Sequence, residues 1–147
     1  MAVERWPGRV YAEAVQNTEW TVDPQSWLEV PVPPFATADE AIVRHRLLAD
    51  GTIVTVEMKP EYGGVTGIWH RGDGEIDLDG EVPDGLRMRL MMWHTYWTDR
   101  FDPITGWVAG SHAAWWLAEG RRLHGLLQEQ LWWRFEILDR FDPASTA

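Results

Sequence analysis

The sequence predicts an α+β fold: a curved antiparallel sheet of about six to seven strands packed on one long C-terminal helix spanning 111–141. Three observations predict it. Residues 86–97 alternate cleanly, with Leu86, Met88, Leu90, Met92, His94 and Tyr96 on one face and Arg87, Arg89, Met91, Trp93, Thr95 and Trp97 on the other. Short β-branched or alternating runs separated by Gly, Pro and Asp punctuate the rest of 9–109. From Ser111 onward, Trp116, Leu123, Leu127, Leu131, Leu138 and Phe141 fall on one stripe at helical spacing. Such a stripe must be covered, and the upstream strands are there to cover it. The 147 residues suit a single domain with its own core.

Taken in order, 9–15 (RVYAEAV) predicts a first strand. Residues 17–36 read as an irregular wrap with one short helix at 24–29. Asp23-Pro24 signals a turn there, and Pro31, Pro33 and Pro34 exclude a central strand. For 37–49 two readings compete. Thr37 and Glu40 form a capping box that would open a helix, whereas Asp50-Gly51 between apolar runs signals a hairpin with Ala41–Leu48 as its first arm. The hairpin is favoured, because Thr52–Val56 is β-branched throughout. Further strands are expected at Tyr62–His70, Glu75–Asp79, 86–97 and Ile104–Ala109, and Ser111 is expected to cap the final helix.

Composition bounds function. The net charge of −10 argues against a nucleic-acid backbone, which requires a basic footprint, and suits a basic protein partner. Lys59 stands alone against twelve arginines, the bias of GC-rich coding sequence. With no cysteine, disulfides and thiolate chemistry drop out. Glu4, Arg5, Glu13 and Glu19 interrupt the N-terminus, so no secretory leader is expected, and no window approaches the roughly 18 apolar residues of a membrane span. A cytoplasmic location is the expectation. The 11 tryptophans exceed what one core needs, because each buried indole N–H wants a partner. Some are therefore expected at a surface, pocket or interface.

The order of elements, from strand and wrap through about six antiparallel strands to a long helix, resembles the helix-grip architecture of the START and polyketide-cyclase superfamily. The resemblance rests on element order and carries no sequence motif. It implies a cavity between sheet and helix.

Motifs with specific chemistry fail inspection. Ser111-His112 lacks the flanking glycines of a nucleophile elbow. The acidic run 73–84 fails the calcium-loop pattern, with Leu86 where the bidentate Glu belongs and Pro83 inside. The five histidines share no metal-ligand spacing, so neither metal nor cofactor is expected. Asp99–Pro103 and Asp139–Pro143 both read DRFDP, and each is expected to end an element with its Phe packed.

Two function classes remain. The favoured one is a non-catalytic interaction protein, an inhibitor, immunity-type protein or assembly subunit. It would dock a protein partner or a second copy through a Trp-rich, acid-rimmed surface formed by Met91, Trp93, Trp97 and Trp132. Trp132 belongs there because it falls on the polar face of the expected helix, although cover by 17–36 is an even alternative. The other class is a helix-grip-type pocket that binds or transforms an apolar or aromatic small molecule. Its candidates are His94 and Tyr96 at one end of the strand's apolar face and Arg134 within the helix stripe. For Arg134 itself a structural ion pair is the favoured reading, with Asp99, Asp102 or Glu119 as candidate partners, since arginine is rarely buried alone.

Overall fold

The computed structural model describes residues 19–142, so the strand expected at 9–15 lies outside the described residues. The protein is α+β, with three helices and three small sheets among the described residues. It is not one broad sheet gripping one long helix, and the helix-grip resemblance fails with that.

The first unit is a ribbon of β1 (Glu19–Val22) and β2 (Glu29–Val32), paired antiparallel. Its two strands occupy the stretch expected to be an irregular wrap, and the expected helix at 24–29 is a turn leading into β2. Asp23 organises that turn. Its carboxylate accepts from the Gln25 N–H (2.9 Å) and from Arg46 Nη2 (2.9 Å). The Arg46 hydrogen bond holds its pKa down to about 2, against the opposing cost of burial.

Residues 37–49 are the capped helix and not a hairpin arm. In α1 (Ala38–Ala49), the Thr37 hydroxyl accepts from Glu40 N–H and the Glu40 carboxylate accepts from Thr37 N–H. The Asp-Gly pair ends this helix, with Gly51 at φ 84° in the left-handed region that a glycine after a helix end commonly supplies. Inside α1, Arg44 is buried. Its Nη1 meets Glu136 Oε2 at 2.8 Å, its Nε and Nη2 donate to the Trp132 and Phe135 carbonyls (2.6 and 2.8 Å), and its guanidinium lies 3.9 Å from the Trp132 ring centroid.

The main sheet has the order β5 (Asp73–Glu75), β4 (Ile68–His70), β3 (Val54–Met58), β8 (Phe135–Asp139). The strand expected at Tyr62–His70 shrinks to β4, whereas residues 76–79 of the strand expected at Glu75–Asp79 are irregular and β5 falls largely on the expected turn before it. β3 pairs antiparallel with β4 and parallel with β8, in the register Val54↔Phe135 through Met58↔Asp139.

The segment 86–97 is helical, within α2 (Asp84–Arg100). Leu, Met and Arg, which fill it, are strong helix formers, and apart from Thr95 it lacks β-branched residues. Leu90, Trp93 and His94 are buried at i, i+3 and i+4, while Met88 and Met92 face outward. The chain then makes a minimal ribbon, β6 (Phe101–Asp102) with β7 (Gly106–Trp107), in place of a strand at 104–109.

The long helix is also corrected. α3 runs Ala113–Gln130, capped by His112 without a side-chain bond, so Ser111 is not its cap. The chain turns at 131–134 and returns as β8, every residue of which is buried. The stripe thus belongs to two elements. Trp116, Leu123 and Leu127 from α3 join Leu131 from the turn, Ile137 from β8 and Phe141 beyond it, over Val56, Met58 and Ile68 of the sheet. His124 and Gln128 on α3 are buried too, and each bonds the β8 backbone: His124 Nε2 to the Ile137 carbonyl (2.6 Å), and Gln128 to Phe135 and Ile137 (2.7 and 2.8 Å).

Candidate ligand-binding cleft

Because β3 and β8 run parallel in register, they end together. Lys59-Pro60 and Arg140-Phe141 therefore leave the sheet side by side, tied by the Arg140 N–H to the Met58 carbonyl (2.9 Å). In sheets with parallel strands, ligands commonly sit beyond the carboxyl ends. Here that space is a cleft of about 340 Å³.

Aromatic rings form the cleft. Trp97 comes from the last turn of α2, Phe101 from β6, Trp107 from β7, and Trp116 from the first turn of α3; Phe141 follows β8. Trp97 stacks on Phe101 (centroids 5.2 Å, 16°), Phe101 meets Trp107 edge-on at 5.4 Å, and Trp107 meets Trp116 edge-on at 5.3 Å. Offset and edge-on arrangements at these separations are attractive beyond simple burial.

The floor is fixed by a reciprocal pair. Trp93 and Trp116 stack at 4.5 Å and 8°, and each indole N–H donates to the other's backbone carbonyl at 2.9 Å. Both polar handles are satisfied without solvent, which lets two indoles sit in the core. Gly120 on α3 completes the fit, since a Cβ there would come 2.5 Å from Phe141 Cε2 and 3.0 Å from Trp93 Nε1.

The polar groups lining the cleft are Lys59 and Arg140, both cationic. Glu57 lies behind them, accepting from Arg140 Nε at 3.1 Å and standing 3.9 Å from Lys59 Nζ; Glu61 pairs with Lys59 at 3.0 Å. The lining itself carries no hydroxyl, thiol, imidazole or carboxylate. Chemically, such a site can hold a flat apolar group, and its two polar contacts are cations that each already have a glutamate partner. Among the described residues no three His, Cys, Asp or Glu side chains gather as a metal site.

The candidates named from sequence scatter. Trp97 is a wall of the cleft. Trp93 is 0% exposed beneath it and not on an outer face. Trp132 is 5% exposed in the turn after α3, edge-on to Phe35 at 5.1 Å; it is neither on a helix nor at the surface. Met91 is half-buried, with Arg87 Nη1 3.8 Å from its sulfur. His94 is buried, its Nε2 accepting from the Glu61 N–H (3.2 Å). Burial pushes that imidazole below its ordinary value, while the Glu75 carboxylate pulls the other way. Tyr96 is half-buried; its hydroxyl accepts from the His112 N–H (2.8 Å) and its ring meets Trp107 and Trp115. Arg134 is not in the core. Its side chain is 53% exposed and pairs with Glu81. The buried ion pair anticipated for it is made by Arg44 instead. None of His94, Tyr96 and Arg134 lines the cleft.

Sequence reasoning missed Phe101, Trp107, Trp116, Phe141, Lys59 and Arg140 as a group. The DRFDP repeat was the available signal: its two phenylalanines, Phe101 and Phe141, line the same cleft.

No protein-family model, no curated protein and no solved structure matches the chain. No helix among the described residues is long and apolar enough to cross a membrane.

Proposed function

We propose that this is a non-catalytic binding protein whose site is the aromatic cleft beyond β3 and β8, and that its ligand is a small aryl carboxylate. One observation carries the reading: a cleft of about 340 Å³ walled by Trp97, Phe101, Trp107, Trp116 and Phe141, with Lys59 and Arg140 as its polar lining. The volume lies in the range typical of small-molecule sites, mostly apolar with a few convergent polar groups. Rings of the ligand would stack on Trp97 or Trp107, and its carboxylate would meet Arg140 and Lys59 in charge-assisted bonds. The reading takes up the second class expected from sequence, a pocket for an apolar or aromatic small molecule, without its helix-grip fold or its His94, Tyr96 and Arg134 candidates, and it leaves the favoured protein-docking surface.

Calorimetric titration with 1-naphthoate and with 1-naphthylmethylamine tests it. The acid is expected to bind and the amine not, and Arg140→Gln is expected to weaken the acid by about tenfold. Equal binding of acid and amine, or an unchanged affinity in Arg140→Gln, contradicts the proposal.

A further inference from the structure

The outward face of α3 carries a second feature, remote in character from the cleft and independent of it. Arg122, Gly125, Leu126 and Glu129 stand at i, i+3, i+4 and i+7, one continuous stripe on the side opposite Leu123 and Leu127. The stripe lines an open groove of about 560 Å³ together with Pro34, Phe35, Arg89 and Arg121.

Two observations show that, among the described residues, none covers the stripe. Leu126 and Phe35 remain 39% and 37% exposed beside it. Gly125 lies in the middle of α3, where glycine weakens a helix relative to alanine, yet a Cβ there would meet nothing within 4 Å. Gly120 is required by Phe141; nothing among the described residues requires Gly125. A glycine facing an open groove leaves room for a close approach by another chain.

We infer that the occupant is a second copy of this chain, with its α3 laid antiparallel on this one about a two-fold axis between Gly125 and Leu126. A two-fold contact must be self-complementary, residue i meeting j and j meeting i. In this register Gly125 of one copy faces Leu126 of the other, so the exposed leucine fills the space the glycine leaves. Arg122 faces Glu129, and the pairing occurs twice. Glu129 makes no ion pair among the described residues, and Arg122 shares the Glu119 carboxylate with Arg89, at 3.3 and 2.6 Å. Each copy therefore offers a carboxylate in want of a cation and a cation with half a carboxylate. Three arginines line the groove, Arg89, Arg121 and Arg122, against the one carboxylate of Glu129. With Glu119 paired to Arg89 and Asp142 paired to Arg121, the face sums to zero in a chain of net charge −10, and two copies can meet on it. The contact is one helix wide, below the roughly 800 Å² per partner of a standard interface, so the dimer is expected to be weak and concentration-dependent.

Sedimentation equilibrium from about 5 to about 500 µM tests this. The natural chain is expected to shift from monomer to dimer across that range. Arg122→Glu and Glu129→Arg, each alone, are expected to weaken self-association by about tenfold, since each sets like charges across the axis. Mixing the two single variants is expected to restore a dimer of one copy of each, because both crossings become Glu with Arg. A natural chain that stays monomeric throughout, charge variants that dimerise unchanged, or a mixture that fails to pair overturns the inference.

Discussion

Arg44 offers the sharpest test of how the fold is held. Arg44→Met keeps the aliphatic stem and removes the guanidinium. That one group bonds the Glu136 carboxylate at 2.8 Å and the Trp132 and Phe135 carbonyls at 2.6 and 2.8 Å, and lies 3.9 Å from the Trp132 centroid. Hydrogen bonds to charged groups contribute about 1.5–3 kcal/mol each, and breaking a buried ion pair costs about 3–5 kcal/mol in total because the terms overlap. We expect about 4 kcal/mol, hence a melting temperature lower by roughly 8–16 °C for a chain of this size. Urea unfolding of Arg44→Met, Glu136→Gln and the double variant measures both the cost and the coupling. The double variant should be much less destabilised than the sum of the singles, because the pair is lost once. A loss below about 1 kcal/mol in Arg44→Met, or strict additivity, would refute the claim that Arg44 ties α1 to β8.

Two further predictions concern single atoms and single protons. Gly120→Ala and Gly125→Ala are the same change on the same helix, with opposite outcomes expected: a loss of about 1–3 kcal/mol at Gly120, where the Cβ would come 2.5 Å from Phe141 Cε2, and a gain of up to about 1 kcal/mol at Gly125, where it would meet nothing. Thermal melts that move both variants in the same direction would contradict the packing described. Burial lowers the pKa of His94 and of His124 from the ordinary 6.5. Above that value both states are neutral and the rings add no pH dependence. Below it the unfolded chain takes up protons that the buried rings refuse, so stability should fall with pH, by up to about 1.4 kcal/mol per pH unit for each ring. Burial lowers the pKa of His45 as well, and Asp23, held to about 2, loses its contribution only at far lower pH, so urea unfolding between about pH 6.5 and 5 reads the three histidines together, and a flat profile there would contradict their burial.

The sequence made some features legible and hid others for physical reasons. The capping box at Thr37 and Glu40 was correct, and the Asp-Gly signal misled because the same pair that turns a hairpin also ends a helix. The alternation across 86–97 was a coincidence of two periods. Leu86, Leu90, Trp93, His94 and Trp97 form the helical face, and Met88 and Met92 fill intervening even positions although they lie in solvent. Residue type would have decided it, since Leu, Met and Arg favour helix where strands favour Val, Ile and Thr. The break after Gln130 left little trace. No glycine or proline marks it, the last turn of α3 holds no basic residue, and Leu131 and Leu138 continue the stripe in register. The parallel pairing of β3 with β8 joins residues some eighty positions apart, and only the fold reveals it. The cleft depends on that pairing, so its residues could not be assembled from local pattern. Even so, the tryptophan excess pointed toward a pocket or interface, and the indoles of Trp93, Trp97, Trp107 and Trp116 do gather around one cleft.

The indole N–H signals of the protein, followed by NMR during titration with 1-naphthoate, test the central claim most directly. Trp97 and Trp107 form the walls of the cleft, while Trp27 and Trp133 are exposed elsewhere in the chain. Shifts concentrated at Trp97 and Trp107, saturating together and abolished in Trp107→Ala, are the predicted result. Shifts confined to Trp27 and Trp133, or none at any indole, would contradict the assignment of the cleft as the binding site.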